Sequence, residues 1–80
     1  MAIELSFAKV LKSVRIKRKM SQEELAFRSD LDRTYISMLE RGIHQPTIAS
    51  LFALSKALNM KPSDMIRLVE IEIGEVDDRE

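Results

Sequence analysis

Five side chains between positions 33 and 41 have the chemistry and spacing to read another polymer: Arg33, Thr34, Ser37, Met38 and Arg41. On a helix of about 3.6 residues per turn these positions fall on one face. They offer two guanidinium groups, two short hydroxyls and one adaptable apolar chain. Such a set can reach base edges from a helix lying in a groove about 12 Å wide, where arginine pairs bidentately with guanine. Any solvated helix face is also polar, so Arg33 reads alternatively as a surface charge, and Thr34 and Ser37 as surface hydroxyls. Met38 can cover a thymine methyl or simply fill surface. Tyr35 reads equally as an aromatic at the edge of a core with its hydroxyl in water.

Other chemistry is sparsely supplied. The 80 residues contain no Cys, which excludes a disulfide, a thiolate nucleophile and a Cys-based zinc site. His44 is the single histidine, no Gly-rich loop could cradle a phosphate, and the acids are not grouped at ligand spacing. An enzyme is therefore not expected, nor a metal, a cofactor or a small-molecule ligand. The five Met residues read as core filler. Formal net charge is zero, yet residues 70–80 hold six acids against one base, so residues 1–69 carry an excess of five positive charges. Six bases crowd between Lys9 and Lys19. A charge run of this kind is usually a solvated face, but the domain that remains after the acidic end is set aside is basic.

The elements that must hold these side chains are helices. Phe7, Val10, Leu11 and Val14 form the stripe of a first helix, with Ser6 as its N-cap and an end near Arg18. Ser21-Gln-Glu-Glu24 matches a capping box at the start of a short second helix that breaks at Ser29-Asp30. Asp32 is the N-cap of the third, with Leu31 and Ile36 as its hydrophobic staple, and Gly42 stops it after Arg41. Pro46-Thr47 opens a fourth helix with Leu51, Leu54 and Leu58 on one face and Asn59 as its left-handed end. Pro62 starts a fifth that continues to about Glu72, although Leu68 to Ile73 also alternates like a strand. The link around Asp30 is too short for antiparallel packing, so helices two and three cross steeply, as in a helix-turn-helix. The expected architecture is an all-α, compact five-helix bundle over residues 1–72, with residues 73–80 an acidic, disordered tail.

The residues Ser21-Gln-Glu-Glu-Leu-Ala26, Leu31-Asp-Arg-Thr-Tyr-Ile-Ser37, Leu39-Glu-Arg-Gly42 and Pro46-Thr47, with Leu51 and Leu58, resemble the Xre-like helix-turn-helix regulators related to phage repressors and Cro proteins. The resemblance spans roughly residues 5–68, and the wording of helix three also looks like the controller proteins of restriction-modification systems. It implies a phage-repressor-like fold and binding to double-stranded DNA. Arg33, Thr34, Ser37 and Met38 would face bases, while Gln22, Tyr35, Arg41, Gln45 and Thr47 would hold phosphates. Arg15 and Glu40 fall where family members can form a buried ion pair. Lys19 and Asp30 stand where the family commonly has Gly, which implies left-handed backbone at both. Phe27 is unusual for its place, which should be partly exposed.

Ile66, Val69, Ile71 and Ile73 exceed what one small core absorbs, so they either pack against helix one or form a homodimer seam, and the seam is the expectation carried forward. The functional expectation is a cytoplasmic transcriptional regulator, repressor or activator, binding a palindromic operator as a homodimer, without a ligand-sensing domain and without a membrane anchor. A protein-binding module on the same fold, such as an antitoxin, is the alternative.

Overall fold

Five helices follow one another in the computed structural model, which describes residues 2–74: α1 Ile3–Lys17, α2 Gln22–Ser29, α3 Arg33–Glu40, α4 Ile48–Ala57 and α5 Pro62–Ile73. Among the described residues there is no strand, and no helix is long and apolar enough to cross a membrane. α1 packs on α3 and α5, α2 on α3 and α4, and α4 on α5. Between them lies one core that includes Phe7, Leu11, Leu25, Ile36, Leu39, Leu54, Leu58 and Met65. Burying a side chain of this kind contributes about 1.5–3 kcal/mol relative to leaving it in water.

The turns share one device. α1, α2, α3 and α4 each end at a residue with positive φ, namely Lys19 (59°), Asp30 (58°), Gly42 (74°) and Asn59 (60°). In every case the next amide N–H reaches back five residues: Met20 to Arg15, Leu31 to Ala26, Ile43 to Met38, and Met60 to Ser55. This is the Schellman closure, in which a left-handed residue lets a following N–H bond an orphan helix carbonyl. The residue after each left-handed position is apolar, and Met20, Leu31 and Met60 pack against the core. The left-handed backbone expected at Lys19, Asp30 and Asn59 is thus present.

Several boundaries differ from the sequence reading, each for a physical reason. α1 begins at Ile3 behind Ala2, and Ser6 is buried inside the first turns, its hydroxyl donating to the Ala2 carbonyl at 3.4 Å, so it is not the cap. Ser21 does cap α2, accepting from the Glu24 N–H at 3.0 Å, but Glu24 turns its carboxylate to Arg28 at 2.8 Å instead of closing the second half of the box. Asp32 sits at the N-cap of α3 in extended backbone without a side-chain capping bond; the first turn closes through its carbonyl, which accepts from the Ile36 N–H at 3.1 Å. Residues 68–73 are helical, because Met65 and Val69, four apart, bury one face against the core. Ile73 ends α5, and residues 75–80 of the expected tail lie outside the described residues. Phe27 is 86% exposed on α2.

A β-carbon in left-handed backbone costs on the order of 1 kcal/mol. Lys19→Gly is therefore expected to raise the thermal midpoint by roughly 4–8 °C for a domain of this size, read by circular dichroism. An unchanged or lowered midpoint would contradict the strain assigned to that turn.

Candidate nucleic-acid interface

α3 has two sides that its sequence separates cleanly. Ile36 and Leu39 are fully buried, while Arg33 and Thr34 stand exposed at its start, Ser37 and Met38 are half-buried, and Arg41, the C-cap, is exposed. The polar face legible in the sequence is thus presented to solvent at the N-terminal half of the helix and at its end.

Two polar networks fix how that face is held. At the C-terminal end of α3, Glu40 has 3% of its side chain exposed and is bracketed by Arg15 of α1, whose Nε donates to Oε2 at 2.6 Å and Nη2 to Oε1 at 2.9 Å. Arg15 Nη1 donates further to the Met20 carbonyl at 2.8 Å, so one guanidinium ties α1, the first turn and α3 together. The hydrogen bond from Arg15 to Glu40 holds the guanidinium pKa above its ordinary value, with burial opposing and the charge of Glu40 assisting. A raised pKa contributes stability that is fully present below the ordinary arginine range and lost only above it, so the pair is intact at every near-neutral pH. The ion pair implied by the resemblance is therefore present. Gln22, the first residue of α2, joins it by donating Nε2–H to Glu40 Oε1 at 3.1 Å.

On the other flank, the Tyr35 hydroxyl donates to Ser50 Oγ at 3.2 Å, and Thr47 donates to the same oxygen at 2.9 Å while accepting the Ser50 N–H at 3.0 Å. Tyr35 is half-buried against the core, which links the middle of α3 to the start of α4. Gln45, exposed in the loop between them, donates to Glu4 of α1 at 3.3 Å. The structure thus brings Gln22 beside the end of α3 and Thr47 beside its middle.

Of the four α5 residues expected at a homodimer seam, Ile66 and Val69 line one cleft and Ile71 lies apart from them. Val69 is 6% exposed and belongs to the core of the single chain, which leaves it little surface for a partner. Ile66, Ile71 and Ile73 remain exposed, but Ile66 opens onto a cleft of about 220 Å³ with Ile3, Phe7, Ile48 and Leu51, whereas Ile71 lies with Leu68 beside Lys9 and Lys17. Five residues apart on a helix, Ile66 and Ile71 point about 140° from each other. Sequence reasoning missed Ile48 and Phe52, which are 73% and 57% exposed on α4. The signal was available: α4 reads Ile-Ala-Ser-Leu-Phe-Ala-Leu, apolar on more than the one face that Leu51, Leu54 and Leu58 require.

Residues 11–65 match the family model described as helix-turn-helix. The chain belongs to the helix-turn-helix family. Among its relatives, the control protein C.BamHI of Bacillus amyloliquefaciens is 41% identical over 70 residues, covering 86% of each chain. The control protein C.SmaI of Serratia marcescens is 42% identical over 59 residues, covering 74% of this chain and 70% of the relative. Solved structures agree: the restriction-modification controller protein C.AhdI of Aeromonas hydrophila superposes with a TM-score of 0.78 at 34% identity, covering 81% of this chain and 98% of that one. The controller protein C.Esp1396I, solved as a tetramer with its natural 35 base-pair operator, gives 0.83 at 36% identity over 91% of this chain and 96% of that one. This family member therefore has the five-helix architecture of the restriction-modification controllers.

Removing one partner of a buried ion pair strands the other charge, at a cost of about 3–5 kcal/mol. Arg15→Ala is expected to lose stability on that scale in urea denaturation. A loss below about 1 kcal/mol would place the pair among ordinary surface contacts.

Proposed function

We propose that the chain is a sequence-specific transcriptional regulator of the controller type that binds a two-fold symmetric DNA operator as a homodimer. The observation that carries this reading is the exposed donor face of α3, locked at its end by Arg15 and Glu40 and at its middle by Tyr35 and Ser50, on a chain similar to an operator-bound controller. Arg33, Thr34, Ser37 and Met38 face the bases in the major groove. Gln22, Arg41, Gln45 and Thr47 hold phosphates on either side, with Tyr35 fixing the flank that carries Thr47. The relatives include control proteins and a phage immunity repressor, which favours this reading over an antitoxin-like module.

The seam between the two copies is assigned to Ile48, Phe52 and Ile66. Ile48 and Ile66 line the cleft that Gln45, Pro46 and Thr47 also line, and Phe52 stands exposed one turn after Ile48 on α4. The two α3 helices of a dimer sit about 34 Å apart, which centres half-sites about ten base pairs apart or a multiple of that.

Selection from random DNA should yield a palindrome. Arg33→Ala is expected to relax preference at one position of each half-site, with a loss of about 1–3 kcal/mol on the preferred sequence. A uniform loss across all sequences would move Arg33 to the backbone. Affinity should also fall steeply with salt, by counterion release.

Ile48→Asp and Ile66→Asp alter exposed side chains, so both are expected to keep the helical spectrum while sedimenting as monomers. Ile71→Asp should remain dimeric. A dimer that persists in the first two and dissociates in the third would place the seam on the opposite side of α5.

A further inference from the structure

Gln22 is held in an unusual way for a residue placed at a phosphate. Its amide nitrogen has two hydrogens, and one is already donated to a carboxylate, Glu40, whose side chain is almost wholly buried. That carboxylate is itself fixed by two bonds from Arg15, which also neutralises it. Gln22 is the first residue of α2, where the leading backbone N–H groups have no helix carbonyl to bond. A free glutamine side chain there would sample several rotamers and would lose that freedom on gripping a phosphate.

We infer that Glu40 is a positioning residue for DNA binding: it fixes the Gln22 amide so that one N–H remains in place for a phosphate oxygen, while Arg15 cancels the carboxylate charge that would otherwise repel that phosphate. The inference rests on the DNA-binding reading above and assigns the ion pair a second task beside holding α1 to α3. Three bonds to one carboxylate make the task specific. Gln22 and Arg15 Nη2 share Oε1, so the amide is aligned by the same atom that the guanidinium immobilises. The exposed Gln45–Glu4 bond is a different case: it is longer, at 3.3 Å, and no cation is bonded to Glu4 among the described residues.

The test separates holding the fold from positioning the amide. Replacing a buried ion pair by apolar residues of similar volume is often neutral or stabilising, so the double variant Arg15→Met with Glu40→Met should fold and keep the net charge, while leaving Gln22 without its acceptor. Operator affinity is measured for four chains: native, Gln22→Ala, the double-Met variant and the triple variant. Gln22→Ala should weaken the native chain about tenfold, as expected for one charge-assisted bond. The double-Met variant should bind about tenfold more weakly than native, and adding Gln22→Ala to it should cost less than twofold. If Gln22→Ala costs tenfold in both backgrounds, the grip stands and the positioning role is overturned. If it costs nothing in the native chain, the grip itself fails and the inference with it.

A measurement on the unaltered protein covers the case in which the double-Met variant does not fold. In the nuclear magnetic resonance spectrum, the two side-chain amide protons of Gln22 should behave differently. The one bonded to Glu40 should keep its shift when operator is added, and the other should move. Equal movement of both would overturn the inference.

Discussion

Glu40 is a carboxylate with 3% of its side chain exposed, and the consequences of burying it run through the whole molecule. An unpaired buried charge is intolerable, so a cation has to be delivered from elsewhere in the sequence. Arg15 supplies it from 25 residues away, and in doing so fixes the angle between the first helix and the reading helix. The remaining guanidinium nitrogen closes on the Met20 carbonyl, which settles the turn that launches α2. Gln22 completes the set from the start of that helix. Three helices and the turn between two of them are joined through one ion pair, at the end of the helix that presents Arg33 to Arg41.

Elsewhere the molecule is built from local decisions. Each of four helices ends by the same closure, a left-handed residue followed by an apolar one, which packs on the core in three of the four. The closure satisfies carbonyls that would otherwise be orphaned and points the next helix away in one step. Arg18 adds a long-range version of the same satisfaction, its Nε donating to the Leu58 carbonyl at the end of α4 at 2.9 Å. Longer-range order then comes from the core and from the two polar networks on either flank of α3.

The helices and their order were legible because capping residues, Pro and apolar stripes mark their own neighbourhood: Ser21, Thr47 and Pro62 each start the helix they were read to start. Ser6 misled because a Ser ahead of an apolar stripe looks the same whether it caps a helix or lies buried in its second turn. Asp32 took the capping position without the capping bond, a distinction of side-chain rotamer that sequence does not carry. The polar face of α3 was readable from spacing, and the Arg15–Glu40 pair from resemblance. Gln22's bond to Glu40 was not, since it depends on how two helix ends 18 residues apart converge. A count of surplus apolar residues does not say which helix carries the surplus. Val69 was absorbed by the core, while Ile48 and Phe52 of α4 were left outside.

Of the four left-handed helix stops, only Gly42 is glycine; Lys19, Asp30 and Asn59 hold the same backbone with a β-carbon attached. Each such residue narrows the gap between the folded chain and its opened forms. For a marginally stable small domain, a change of about 1–2 kcal/mol alters the opened fraction by roughly 5–30-fold. Proteases act on that fraction, and the abundance of a protein in a cell follows it. Occupancy of an operator follows abundance in turn, so the choice of residue at a helix stop helps set the half-life of each copy and the level at which a promoter responds.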